Sequence, residues 1–270
     1  MEEGFLDNLY QEHQTALGCP SPSSIIAFYE SLVGFLFPDY GNEKITTRNE
    51  LKNRFGDLRK DWHLLLQKRC KSLQKKYPGD EDVLFKDLTK IKSTLENDIT
   101  AIYEGDPAAQ SRLEVIKTYP GFKAIAAYRI ANSIYNSGYQ LIARMISEHA
   151  HSRTGVDIHP AAKIGSHFCI DHGTGIVIGE TTDIGDHVKI YQGVTLGATS
   201  VKKENASQKR HPTIGNNVVI YANATILGGK THIGDHCVIG GNSWITRSLE
   251  SNSRLYYDSE NKHLLKSNLE

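Results

Sequence analysis

Eight of the chain's twelve histidines fall between His151 and His236. One of them sits where the sequence breaks its own rhythm. His172 lies in Cys169-Ile-Asp-His-Gly-Thr-Gly175, between Ile170 and Ile178, which are eight residues apart where comparable neighbours are six apart. An irregularity inside a regular repeat marks a candidate site. An imidazole titrates near neutral pH and can take a proton from a weak nucleophile such as an alcohol. Asp157 lies fifteen residues earlier, close to one coil of the repeat described below. That spacing can set its carboxylate beside the ring from an adjacent coil. A carboxylate bonded to one ring nitrogen fixes the tautomer and leaves the other nitrogen as a base. Spacing alone leaves open that both are ordinary surface groups. His159, His167, His187, His232 and His236 read as surface or structural residues. A second cluster, Arg210-His211-Pro212, closes the polar stretch TSVKKENASQKRHP. A third candidate is Asp106 in Gly105-Asp106-Pro107-Ala108. It reads as a cap-like turn with proline at the first helical position, or as a carboxylate that reaches the site.

The elements that must hold these groups show in the aliphatic residues. Ile158, Ile164 and Ile170 recur every six positions, then Ile178, Ile184, Ile190 and Leu196. The count resumes at Ile214, Ile220 and Ile226, slips by one, and continues at Ile233, Ile239 and Ile245. Glycine follows several of them directly. A period of six fits neither a helix nor a half-buried strand. It fits a solenoid whose coil has three flat faces, each a short strand and a turn, with the aliphatic pointing inward. The break from 198 to 212 then reads as a loop thrown out at one corner. Loops of that length without structure of their own are usually functional or disordered.

Residues 1–153 lack the period and read as helices. The stretch Pro20–Ser24 is a breaker and cap before an apolar run from Ile25 to Phe37. An amphipathic stretch follows from about Arg48 to Tyr77, and a helix from about Asp80 to Tyr103. Further helices are expected from 107 to 117, from 121 to 137 and on to about 152. A helical domain running into the first coil suits a cap for an open solenoid end and an oligomerisation surface. The solenoid spans 154–248, and 249–270 reads as a tail with a short helix near its end. Charge is balanced at 31 basic and 31 acidic residues, so the total gives no sign of a nucleic-acid or membrane partner. No apolar run is long enough to span a bilayer, and the first residues do not read as a signal peptide. Cys19, Cys70, Cys169 and Cys237 have no CxxC spacing and read as free thiols, which suits a cytoplasmic protein.

The block GVDIHPAAKIGSHFCIDHGTGIVIGETTDIGDHVKIYQGVTLGA, with DPAA and YPGFKAIAAYRIAN upstream, closely resembles the serine O-acetyltransferases. The branch it resembles most has a longer loop before RHPTI and IYANATILGG after it. The resemblance covers about residues 100–248. It implies an α+β chain, a helical bundle followed by a left-handed parallel β-helix. It implies acetyl transfer from acetyl-CoA to L-serine in cysteine biosynthesis, in a ternary complex, with His172 as general base and Asp157 orienting it. Asp106 and Asp171 would hold the substrate ammonium, and Arg210 and His211 its carboxylate. Main-chain groups near Ala198 and Ala222 would contact CoA. Lys202, Lys203, Lys209, Lys230 and Arg247 are candidates for its phosphates. No metal is expected. The resemblance further implies a homotrimer or a dimer of trimers, with His172 and the Arg210–His211 loop meeting across a subunit seam. Feedback inhibition by L-cysteine would act through the serine pocket. Relatives that bind O-acetylserine sulfhydrylase end in isoleucine; this sequence ends Ser267-Asn268-Leu269-Glu270, so that complex is not expected.

Two other chemistries suit the same solenoid. One is acetyl transfer to a sugar or another amino acid, which the set Asp106, Asp171 and Arg210 disfavours because it matches a zwitterion. The other is a zinc hydro-lyase, which needs three converging histidines, such as His167, His172 and His187.

Overall fold

The computed structural model describes residues 2–15, 19–67, 81–199, 208–257 and 263–266. Part of the expected loop (200–207), the expected helix beyond Gln67, Lys202, Lys203, Cys70 and the last four residues lie outside that set.

The thirteen aliphatics of the six-residue count all point inward, none more than 9% exposed. Their strands stack in register into three parallel sheets. Sheet one runs β1(Asp157–Ile158), β4(Val177–Ile178), β7(Thr195–Gly197), β10(Thr225–Leu227), β13(Trp244–Ile245). Sheet two runs β2(Lys163–Ile164), β5(Asp183–Ile184), β8(Thr213–Ile214), β11(His232–Ile233). Sheet three runs β3(Cys169–Asp171), β6(Lys189–Tyr191), β9(Val219–Ile220), β12(Val238–Ile239), β14(Arg254–Tyr257), β15(His263–Lys266). Each aliphatic therefore sits on its copy one coil away, as in Ile158 on Ile178 and Ile164 on Ile184. The result is a five-coil parallel β-helix.

Residues 249–257 and 263–266 differ from the expected helical tail. Ile233 bridges Leu249, and Ile239 pairs with Leu255. Leu249 follows Ile245 by only four residues, Leu255 follows six later, and β14 extends sheet three before β15 folds back antiparallel.

Seven helices precede the β-helix among the described residues. α2(Pro22–Leu36) starts at Ser21, whose side chain accepts from the Ser24 N–H at 3.2 Å, with Pro22 in the first turn. α3(Arg48–Gln67) packs against it, with Phe28 stacked on Trp62 at 5.4 Å, and α4(Val83–Gly105) packs against the later helix α6(Pro120–Asn136) and strand β3. α5 spans only Arg112–Thr118. Its N-cap is Ser111, with Glu114 reaching back to the Gln110 N–H. Pro107 is therefore outside the helix, and Asp106 makes a turn by accepting from the Ala108 N–H. α6(Pro120–Asn136) and α7(Gln140–Thr154) follow. α7 ends at Gly155, whose φ of 68° reverses the chain into the first coil.

The helices close the open end of the β-helix with polar chemistry. Side chains of α6 donate to the carbonyls of the first coil's edge. Tyr128 Oη reaches Ala162 O at 2.6 Å, Arg129 reaches Ile164 O and Gly165 O at 2.6 and 2.5 Å, and Asn132 reaches Pro160 O at 2.8 Å. Asp98 of α4 accepts from Phe168 N–H at 2.9 Å and from the Arg129 guanidinium at 3.0 and 3.1 Å. Asp98 is fully buried, and that burial pushes its carboxyl above the usual range while Arg129 opposes it. An unpaired sheet edge would otherwise template association.

Cys169 and Cys237 are buried free thiols, and burial pushes Cys169 up to about 12. Cys19 is disulfide-bonded, which corrects the reading of four free thiols. Spacing along the chain carries no signal for a pairing formed by tertiary contact. Among the described residues no helix is long and apolar enough to cross a membrane.

Candidate functional site

The extra two residues between Ile170 and Ile178 form a wide turn from sheet three to sheet one. His172, Gly173 and Gly175 all take left-handed backbone there, with φ of 59°, 98° and 83°. The turn pushes His172 out of the prism, leaving its side chain 72% exposed. Asp171, the last residue of β3, lies beside it, with His172 Nε2 3.7 Å from Asp171 Oδ1. The other Asp171 oxygen, Oδ2, is 2.9 Å from Lys189 Nζ on the next coil. Asp106, at the end of α4, joins from the cap. Its carboxylate accepts from Tyr119 Oη at 2.6 Å and from the Ala108 N–H at 2.8 Å. Those bonds, Tyr119 first, hold Asp106 below the usual carboxylate range and push Tyr119 up to about 12. Lys189 adds positive charge to the same neighbourhood.

Asp157 begins β1, on the coil that His172 ends. The two flank the same corner, where Gly175 N–H donates to Gly155 O at 2.8 Å. They lie on one coil, fifteen residues apart where the paired Asp157 and Val177 are twenty apart. The carboxylate oxygen found near the His172 ring is that of Asp171.

Arg210 and His211 occupy a different corner, from sheet one to sheet two. The chain returning from the loop lies across the bend of the coil below. Thr181 organises it. Its Oγ1 accepts from the N–H groups of Arg210 and His211 at 2.9 and 3.1 Å. The Thr181 N–H donates to His211 Nδ1 at 3.0 Å, which leaves the ring's proton on Nε2. His211 is 8% exposed, and burial lowers its pKa to about 4, with Arg210 second. The Cδ2 and Nε2 atoms of the ring lie against Gly179, where an added Cβ would come within 2.1 Å of Nε2. Arg210 pairs with Glu180. His159, half-buried on the coil below, is likewise lowered to about 4 by burial, with Arg144 second.

Sheet one separates the two clusters. Four residues lead from Gly175 to Gly179, or about 13 Å at 3.3 Å per residue. One chain therefore brings Asp106, Asp171 and His172 together at one corner and Arg210 and His211 at the next, and it does not bring the two groups together. Ala222 lies on the His172 corner, two coils further along, and Ala198 on the Arg210 corner. Lys209 is engaged with Asp183 at 2.5 Å and Thr181 O at 2.6 Å, so it is tied into the corner. Lys230 and Arg247 are exposed. His167 and His187 stack at 4.2 Å on the third corner, away from His172. Among the described residues no group of three or more His, Cys, Asp or Glu could hold a metal ion.

Sequence reasoning missed Tyr119, Glu180, Thr181 and Lys189. Each acts through a partner distant in the chain, which periodicity does not report. All four stand inside the motif blocks, and that position was the available signal.

A helical cap closing a hexapeptide-repeat β-helix is the architecture of a class of acyltransferases. Comparison with known proteins narrows it. The family model described as serine acetyltransferase, N-terminal, matches residues 79–127. A plasmid-encoded serine acetyltransferase of Synechococcus elongatus is 52% identical over 171 residues, 62% of this chain and 53% of that protein. The match thus spans about half that relative's length. A serine acetyltransferase of Staphylococcus aureus is 50% identical over 159 residues, 59% of this chain and 72% of that one. Among solved structures, serine acetyltransferase isoform 3 of Entamoeba histolytica, in complex with cysteine, superposes with a TM-score of 0.76 at 37% identity, over 89% of this chain and 84% of that one. The chain belongs to the serine acetyltransferase family.

Proposed function

We propose that the protein transfers the acetyl group of acetyl-CoA to the hydroxyl of L-serine, giving O-acetylserine and CoA. The observation that carries this reading is the pair of half-sites on neighbouring corners. One offers carboxylates and an exposed imidazole; the other offers a guanidinium and a second imidazole. Together they complement an ammonium, a hydroxyl and a carboxylate, the three groups of serine. The active site is then complete only where the His172 corner of one subunit faces the Arg210 corner of another, in a homotrimer. Pairing of trimers through the helical domain is consistent with α1(Glu2–Thr15), which buries no residue and exposes Phe5, Leu6 and Tyr10.

Asp106 and Asp171 hold the ammonium. Arg210 binds the carboxylate with charge-assisted hydrogen bonds, and His211 donates from Nε2–H. His172 takes the serine hydroxyl proton as the oxygen attacks the thioester carbonyl carbon. Asp157, from the same corner, orients the ring once the exposed side chain turns toward it. The tetrahedral oxyanion is stabilised by a main-chain N–H. It collapses with cleavage of the C–S bond, and the imidazolium returns its proton to the CoA thiolate. Transfer is direct, in a ternary complex. CoA lies along the groove between subunits, near the backbone at Ala198 and Ala222. The cysteine bound to the Entamoeba isoform supports feedback by L-cysteine at the serine pocket. In this reading O-acetylserine is the activated serine that cysteine biosynthesis consumes.

The test is thiol release from acetyl-CoA with L-serine, then with L-homoserine, L-threonine and a galactoside. Serine must be the preferred acceptor by at least about tenfold in kcat/KM. Equal turnover of a galactoside would replace this reading with sugar acetylation.

A further inference from the structure

Lys189 is a cation inside a site whose proposed task is to bind a cation. It projects from β6 beside Asp171, and its register partner on the previous coil is Cys169. Its side chain is 18% exposed. The ammonium sits 2.9 Å from Asp171 Oδ2, donates to Gly105 O at 2.5 Å, and lies 4.5 Å from the centre of the Tyr191 ring. Gly105 directly precedes Asp106. Lys189 thus ties the strand end that carries Asp171 to the helix end that carries Asp106.

We propose that Lys189 is a positioning residue that shapes the ammonium pocket and fits it to a single monovalent amine. The inference rests on the serine-transfer reading above. Two bare carboxylates facing one pocket repel; they take up a proton or a divalent cation in preference to one ammonium. With Lys189 between them, the set Asp106, Asp171 and Lys189 carries one net negative charge, which one substrate ammonium neutralises. Lys189 also selects the oxygen that stays available. It occupies Oδ2 of Asp171 and leaves Oδ1, the oxygen facing His172 Nε2 at 3.7 Å. An amine held on Oδ1 sits beside the base, and the hydroxyl two carbons away falls within reach of the ring. The titratable groups facing the ammonium are Tyr191, Asp171 and Cys169, with Asp106 in the same neighbourhood. Asp171 and Tyr191 favour its charged form and burial opposes it.

The experiment compares Lys189→Met and Lys189→Arg with the unaltered protein, all as assembled oligomers. Methionine keeps the length of the stem and removes the charge. Lys189→Met is expected to raise the serine KM by about tenfold or more, the loss of one charge-assisted contact, with the acetyl-CoA KM within about twofold. Lys189→Arg is expected to recover most of the serine KM. Lys189→Met should also become inhibited by millimolar Ca2+, competitively with serine, where the unaltered enzyme is not. A structural role would move both KM values and the thermal midpoint together and would create no Ca2+ site. If Lys189→Met does not fold, Lys189→Arg decides: a serine KM within about threefold of the unaltered value supports the inference, and a larger loss overturns it. If the unaltered protein turns over no serine, the functional reading falls and takes this inference with it. If it turns over serine and Lys189→Met keeps its serine KM, the Lys189 inference alone falls.

Discussion

Replacing Gly179 by alanine adds one methyl group against the His211 ring. The new Cβ would stand 2.0 Å from Cδ2, 2.1 Å from Nε2 and 2.7 Å from Cγ. Carbon atoms not bonded to each other settle near 3.5–4.0 Å, so the ring must move by about 1.5 Å. It cannot do so and keep the Thr181 contacts to Nδ1 at 3.0 and 2.8 Å. The backbone itself accepts alanine, because Gly179 is not among the left-handed glycines. Two effects on stability therefore oppose each other. Lost hydrogen bonds cost about 1 kcal/mol each, and the stiffer unfolded chain returns about 0.4–1 kcal/mol. The net fall is about 1 kcal/mol, too little to unfold an ordinary domain. Binding suffers more. If Nε2–H donates to the substrate carboxylate, losing that bond costs about 1.5–3 kcal/mol, or about 10- to 150-fold in the serine KM. The assay varies L-serine at saturating acetyl-CoA and follows thiol release. Gly185→Ala is the control: its Cβ would meet Asn216 Oδ1 at 2.5 Å, on a corner remote from the site, so it should lower stability and leave the serine KM alone. An unchanged serine KM in Gly179→Ala would refute the role given to His211.

Three further outcomes follow from the same geometry. His159 and His211 sit at about 4 in the folded protein against 6.5 for a free ring; the unfolded chain then binds more protons between those values. Stability is full above pH 6.5 and falls as pH drops toward 4, by about 1 kcal/mol per ring once solvent screening is discounted, measurable by urea unfolding at pH 7.5, 5.5 and 4.5. Arg129→Met strands the buried Asp98 and the carbonyls of Ile164 and Gly165, and should cost about 3–5 kcal/mol in urea unfolding, with part recovered when Asp98 is also made leucine. Tyr119→Phe removes the 2.6 Å bond to Asp106 and should raise the serine KM by about three- to tenfold with little change in thermal midpoint.

The solenoid was legible because burial imposes a period. Each inward aliphatic repeats the demand of the one below it, and a six-residue count survives even the slip at Ile233. His172 was legible for the related reason that a wide turn must break the count. The last coil was not, since Leu249 follows Ile245 by four residues instead of six and neither it nor Leu255 is followed by the glycine that marked earlier coils. The chemistry of the cap was also hidden. Tyr128, Arg129 and Asn132 answer carbonyls some thirty residues away, and nothing in the local pattern of α6 separates an edge-capping arginine from a solvated one. The same limit applies to Asp106, whose neighbouring proline suggested a helix start, whereas the helix begins at Ser111 and Asp106 is left as a turn residue aimed at the site. Asp157 stands fifteen residues before His172 in a coil of twenty, so the two flank one corner, a placement that the spacing alone did not specify.

Subunit complementation addresses the seam most directly. His172→Ala and Arg210→Ala proteins are each purified inactive, unfolded together, mixed in equal amounts and refolded. If one subunit supplies the base and its neighbour the arginine, random trimers restore about one quarter of the unaltered activity, because one seam in four pairs two intact halves. If the mixture stays as inactive as its parents, both groups act within a single chain, and the two-corner account of the site is wrong.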